Sequence, residues 1–421
     1  MISQRTALWA LAVIFAANFL NYTDRQLVSA LEKPIRNDPA LNLDAEDYGW
    51  LWSYFTIGYM ICAVPIGLLA DRYRRTSILA FCVTVWSLAT VASGLAQTKL
   101  VLNIARVFIG VGEAGCLVIG PSLISDYFPV KVRGKALSIF YLGMSLGGVT
   151  AFILPMALSG VLTWREMFYV AGVPGFAVAL LVLLLPEPPR GSREDGGSDP
   201  HSHHGGGKLT DYIRLLKTPT LLLIILAQAF AVAVLVPVVH FGKKYLETDR
   251  GLDAKQAGLA MLGILVAGIV GNLSSGVIGD RLARRLRGAY ALLAGLGYLA
   301  SFAALQTAFR IESTWVFLSG LVVGSFFLFL CMPAVNTQIA NVTSPAQRGA
   351  AWAVAVFILH LLGDTAAPPL FGRVEQEIGR QQTFINFCFA LIPAAVCCFL
   401  ATLTARADTE RVERETAAPR A

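Results

Sequence analysis

The chain has 421 residues, of which 56 % are hydrophobic and only 14 % charged. A water-soluble domain of that length needs far more charge to cover its surface, so the composition excludes one and points into the bilayer. A net charge of +7 would suit nucleic acid in a soluble protein, but no nucleic-acid module pattern is present, and the basic residues collect in particular loops, as a membrane protein requires.

A helix that crosses a bilayer needs about 20 apolar residues. Such spans are predicted at about 7–30, 50–70, 78–97, 101–123, 134–158, 167–186, 219–240, 256–279, 289–308, 315–339, 349–372 and 383–404. These spans and their short connections use nearly all of the chain. The first reads as a retained helix, because no small-residue cleavage site precedes Asn21-Tyr22-Thr23-Asp24. Polar residues interrupt it at 21–25, where unwinding is expected. The loop that follows, 32–47, is acidic and carries Pro34 and Pro39.

The second span ends in Gly67-Leu-Leu-Ala-Asp71-Arg72-Tyr-Arg74-Arg75, and the eighth ends in Gly276-Val-Ile-Gly-Asp280-Arg281-Leu-Ala-Arg284-Arg285. This recurrence makes the chain an all-α polytopic membrane protein of two related six-helix halves. The expected division is 1–187 for the first bundle, 188–218 for a linker, 219–405 for the second bundle and 406–421 for a tail. Basic residues concentrate in the even-numbered loops, with Arg72, Arg74, Lys131, Arg133 and Lys135 as examples, and the positive-inside rule places those loops and both termini in the cytoplasm. The linker is rich in Gly, Pro and Ser and reads as flexible; His201, His203 and His204 are solvated there or bind a metal weakly. Residues 209–217 suit a short interfacial helix, and the charged stretch from Arg406 onward is expected to be disordered. All seven cysteines fall in predicted spans with no CxxC pair, so they read as apolar packing residues rather than disulfides or metal ligands.

Ionisable residues inside spans are costly, so each is a candidate for function. Asp24 and Arg25 close the first span; Asp24 either snorkels at the interface or pairs with a base and titrates. Arg106 and Glu113 are seven apart in the fourth span, on one face and about 10 Å apart by helical rise, too far to pair with each other. A guanidinium suits an anionic substrate group, and a carboxyl out of water suits a proton carrier. The alternative for both is a static interhelical ion pair. His360 and Asp364 are four apart in the eleventh span and share a face; His360 either senses pH or is a neutral partner held by Asp364. Asn336, near the end of the tenth span, is a further cavity contact, with Gln338 beside it. The two Asp-Arg phrases, with Asp71, Arg72, Arg75, Asp280 and Arg281, suit a gate latch formed in one state and broken in another, or a loop that only fixes topology. No glycine-rich phosphate loop, paired metal histidines or nucleophile elbow occurs, so neither an enzyme nor direct ATP drive is indicated and no cofactor is expected.

The phrase at 67–75 resembles the signature between helices 2 and 3 of major facilitator superfamily transporters, departing from it at Arg74, where many members have glycine. Asn21-Tyr-Thr-Asp24-Arg25, Arg106-Val-Phe-Ile-Gly-Val-Gly112-Glu113-Ala114, Pro186-Glu-Pro-Pro-Arg190-Gly and His360-Leu-Leu-Gly363-Asp364 resemble the spinster-like branch, in its short bacterial form. The resemblance implies twelve transmembrane helices in two pseudo-symmetric halves around a central cavity, working by alternating access as a monomer in the bacterial inner membrane. It implies a lysophospholipid- or sphingosine-phosphate-like anion as substrate, coupled to protons or exported passively. Membrane lipids are then the surroundings and nucleic acid is not a partner. By position it puts Asp24, Arg106 and Glu113 at the substrate and proton sites and His360 and Asp364 close to them. Proton coupling is accordingly expected at Asp24, Glu113, His360 and Asp364, and substrate binding at Tyr22, Arg25, Arg106 and Asn336. The first phrase also resembles organic-anion symporters, so a proton-coupled symporter of small organic anions is the alternative. A membrane receptor that moves nothing is a third option, without any signalling domain attached to support it.

Overall fold

The computed structural model describes residues 3–158, 160–190, 215, 217–343 and 348–417; within these, the side chains at 71, 130, 131, 133, 134, 348–350, 353, 413 and 415–417 lie outside the described set. The three linker histidines and most of the expected interfacial helix also lie outside the described residues. Among those residues all regular structure is helical. The first part holds α1 (Gln4–Ala30), α2 (Glu32–Arg36), α3 (Ala45–Arg72), α4 (Arg75–Leu95), α5 (Lys99–Tyr127), α6 (Val130–Leu158) and α7 (Trp164–Leu183). The second holds α8 (Pro219–Thr248), α9 (Ala254–Ala283), α10 (Ala289–Arg310), α11 (Thr314–Asn341), α12 (Arg348–Leu359), a π-helical turn (His360–Thr365), α13 (Ala367–Ile378), α14 (Arg380–Cys388) and α15 (Leu391–Ala417). Among the described residues, twelve segments are long and apolar enough to cross a membrane. The chain is an integral membrane protein.

Caps set where the helices start. Ser3, Asp44 and Thr98 accept hydrogen bonds from the amides of Thr6, Asp47 and Val101. Thr163 with Glu166, and Asp253 with Gln256, form reciprocal capping boxes. Asp44 therefore starts the second span at Ala45, several residues before the apolar run begins.

The chain divides into two compact units, Met1–Gly205 and Gly206–Ala421. In the first, α3 packs on α5, α1 on α6, and α4 on α5 and α7. In the second, α9 packs on α11, α10 on α11 and α15, and α8 on α15 and the π turn. Span for span, the second unit repeats the packing scheme of the first. Close approach depends on missing side chains: a Cβ on Gly110 would lie 2.0 Å from the Phe55 carbonyl oxygen, and one on Gly147 would lie 2.3 Å from that of Phe19.

Two expectations are corrected. The first helix does not unwind at 21–25; it runs unbroken to Ala30. Its polar side chains are absorbed by neighbouring helices instead, Asn18 donating to the Phe140 carbonyl at 2.7 Å and Asn21 to that of Glu113 at 3.4 Å. From Arg406 to Ala417 the chain is helical rather than disordered, because α15 continues to Ala417, and 418–421 lie outside the described residues. Asp408 is buried there and accepts the Thr220 amide at 3.1 Å, and Glu410 pairs with Arg287 at 3.1 Å and Arg406 at 3.0 Å. Charge patterning alone suggested a solvated tail, whereas those charges are paired to each other and to α8 and its neighbours.

Candidate functional site

Within the first unit, α1, α3, α4 and α5 bring their polar residues to one place. Arg25 on α1 donates from Nε to Glu113 Oε2 on α5 at 2.9 Å, and Glu113 is fully buried. Glu113 is thus paired rather than isolated, and its partner comes from another helix, not from Arg106. The Arg25 guanidinium sits among three aromatic rings, 4.7 Å from the centroid of Tyr22, 4.9 Å from Phe55 and 5.2 Å from Tyr59. Rings of this kind hold a cation by their quadrupoles while offering an apolar wall to whatever lies beside it.

Asp24, one residue before, is also buried. Its Oδ2 accepts a hydrogen bond from the Thr90 hydroxyl on α4, and its Oδ1 has no hydrogen-bond partner among the described residues. Arg106 is the most demanding member. It is fully buried, lies 5.1 Å over the Phe55 ring, and none of its three guanidinium nitrogens has a hydrogen-bond partner among the described residues. Asp24, Glu113 and Tyr48 are near enough to act on it electrostatically. The site therefore sets two guanidinium groups against two carboxyl groups, with one of the guanidinium groups unbonded. Such a cluster can accept an anion at Arg106 and exchange a proton at a carboxyl.

The sequence reading found Tyr22, Asp24, Arg25, Arg106 and Glu113, and these five come together. It missed Thr90, Phe55 and Tyr59. A hydroxyl or aromatic ring within a span carries no distinguishing signal, and only the packing of α3 and α4 on α5 shows that these face the ions.

In the second unit, His360 Nδ1 and Asp364 Oδ2 are 2.5 Å apart, so the i, i+4 spacing does make a pair. They sit in a π-helical turn where no helical irregularity was foreseen. A Cβ on Gly363 would come within 2.7 Å of Val232, so that turn lies tightly against α8. Asn336 on α11 accepts from Gln228 on α8 at 3.2 Å.

The repeated Asp-Arg phrases behave differently in the two units. Arg75 is buried and fully engaged: Nη1 meets Asp126 at 2.5 Å and Ser122 Oγ at 2.9 Å, Nε meets Glu187 at 2.8 Å, and Nη2 donates to the Pro188 carbonyl at 2.9 Å. Partial burial works against ionisation of Glu187, but the Thr76 amide and the Arg75 guanidinium outweigh it and hold that carboxyl below its usual range. Arg72 is exposed, and the Asp71 side chain lies outside the described set. In the second copy, Asp280 accepts from the Tyr290 hydroxyl at 2.5 Å, and Arg281 is exposed with no partner among the described residues.

A polytopic helical protein with two similarly packed halves and a buried ion cluster between the helices of one of them has the build of a solute transporter. Residues 14–368 match the model of the Major Facilitator Superfamily. The chain belongs to that superfamily, and is a membrane transporter rather than an enzyme. Its relatives are spinster proteins: it is 28 % identical to Protein spinster homolog 1 of Xenopus tropicalis over 417 residues, covering 94 % of this chain and 78 % of that protein. Its fold is similar to the crystal structure of a bacterial homologue of the human lysosomal transporter spinster, with a TM-score of 0.87, 24 % identity, and coverage of 97 % of this chain and 99 % of that one. The nucleoside transporter NupG is also similar in fold, with a TM-score of 0.73, 15 % identity, and coverage of 94 % and 98 %.

Proposed function

We propose that the chain is a proton-coupled secondary transporter of amphipathic, lipid-like anions of the lysophospholipid or sphingosine-phosphate kind. It works by alternating access as a monomer in a bacterial inner membrane, with both termini in the cytoplasm. One observation carries the anion: Arg106 is fully buried while all its guanidinium nitrogens lack a hydrogen-bond partner among the described residues. An unpaired buried guanidinium is costly, and a phosphate or carboxylate would satisfy it with two parallel bonds. The amphipathic class rests on the resemblance to the spinster-like branch, and the rings of Tyr22, Phe55 and Tyr59 beside Arg25 suit the apolar part of such a substrate.

Coupling is then an exchange of partners. Arg25 holds Glu113 while the carboxylate is charged. A proton on Glu113 cancels that attraction and frees Arg25 to join Arg106 and Tyr22 on the substrate. Asp24, held by Thr90, is the second proton site, and the His360–Asp364 pair with Asn336 serves the second unit. The phrases with Asp71, Arg72, Arg75, Asp280 and Arg281 act as gate latches, a reading supported by the ion pairs of Arg75 with Asp126 and Glu187.

The test is uptake into proteoliposomes of lysophospholipids, sphingosine phosphate and small carboxylates, with and without an imposed proton gradient. Movement of small carboxylates alone would replace the substrate class with small organic anions. Binding without any flux would point to a receptor.

A further inference from the structure

A groove of about 580 Å³ opens on the first unit, far along α1 from the buried ion cluster. Its walls are the first turns of α1 and α6, and its floor is the end of α5 at Tyr127 and Phe128. One end is apolar: Leu8 is 53 % exposed and Ile139 46 %, with Leu11 behind them. Gln4 and Lys135 are the polar residues of the other end, and both are exposed.

Charge around the groove is one-sided. Arg5 lies in the first turn of α1 and Lys135 near the start of α6, and in the sequence no Asp or Glu occurs in 1–23 or in 127–165. Asp126, one residue before the floor of the groove, pairs with Arg75 at 2.5 Å. The groove straddles the start of two spans, since α1 spans from Gln4 and the fifth span begins at Lys135. The apolar end therefore sits at acyl-chain depth and the cationic end at headgroup depth.

We propose that this groove binds one anionic glycerophospholipid of the cytoplasmic leaflet, with an acyl chain between Leu8 and Ile139 and its phosphate at Lys135 and the start of α6. Basic pockets between transmembrane helices on the cytoplasmic side are suited to such headgroups. The leaflet assignment follows the orientation drawn from the basic loops; the groove and its charge do not depend on which solute the protein moves.

The full-length protein is reconstituted with equal amounts of phosphatidylglycerol and phosphatidylcholine, and the lipid retained on it is counted by native mass spectrometry. Phosphatidylglycerol is expected to be retained in preference. Lys135→Gln should weaken that preference about five-fold, the effect of one lysine at the headgroup level. Ile139→Trp, which fills the apolar end at an exposed position, should reduce retention of the same lipid while leaving thermal unfolding unchanged. Equal retention of the two lipids, or no effect of either substitution, would overturn the site. Displacement by free glycerol phosphate would also overturn it, by showing a headgroup-only anion site. A photoreactive residue at position 139 should link to lipid; linkage to residues 191–214 instead would make the groove a seat for the chain's own linker.

Discussion

Arg106 and Glu113 are the residues on which the proposed chemistry turns. Truncating one member of a buried charge cluster costs about 2–5 kcal/mol, so Arg106→Ala should weaken anion binding at least about 30-fold in a tryptophan-fluorescence titration. Arg106→Lys should recover only part of that loss, because an ammonium cannot make two parallel bonds to a phosphate. A well-folded Arg106→Ala protein with parental affinity would remove Arg106 from the site. Glu113→Gln keeps the shape and removes the titration; its flux should no longer respond to an imposed proton gradient, whereas substrate exchange at equal pH should persist. A parental response to the gradient would rule out Glu113 as the proton carrier. These two positions were legible in the sequence because ionisable residues are rare in spans. Their partners were not: helical spacing ruled out Arg106 as the partner of Glu113, but nothing in the order of residues says that Arg25 is the one that reaches it, since that depends on how α1 lies against α5.

Packing between elements explains the remaining sensitivity. Arg75 joins α4 to the end of α5 and to the segment after α7, and Arg75→Ala would take that cation from both Asp126 and Glu187. Breaking a buried pair in this way costs about 3–5 kcal/mol, to be read as a lower midpoint of thermal unfolding in detergent. The pH dependence follows from Glu187, whose carboxyl is held low in the folded protein. Its contribution is complete above the ordinary glutamate value, about 4.3, and is lost as the pH falls through the lower folded value. Arg75→Ala should therefore unfold with a weaker acid dependence than the parent below that point. Gly110→Ala should lower the yield of folded protein sharply, because its Cβ would lie 2.0 Å from the Phe55 carbonyl oxygen. Gly148→Ala should be tolerated, since nothing lies within 4 Å of its Cβ. Apolar length made the helices themselves legible. Caps and tertiary pairing were not, which is why α3 begins early and α15 runs on through its charges. The π turn at 360–365 had no local marker beyond Gly363 and the prolines after it, and the repeated Asp-Arg phrase looked like one device used twice although, among the described residues, only the first copy has a buried, ion-paired arginine, Arg75.

For the whole molecule, twelve apolar spans and a repeated phrase were enough to foresee a two-part helical membrane protein, and the superfamily match over 14–368 agrees with that. On the proposed reading the substrate is chosen by a few contacts, which fold does not fix, as the likeness in fold to a nucleoside transporter illustrates. The measurement that reaches the central claim most directly is flux of a lysophospholipid into proteoliposomes under an imposed proton gradient, with the parent and Glu113→Gln side by side. Gradient-driven flux in the parent and none beyond background in the variant is the predicted result. Lysophospholipid flux that ignores the gradient in both proteins, or no lysophospholipid flux at all beside robust movement of small carboxylates, would contradict it.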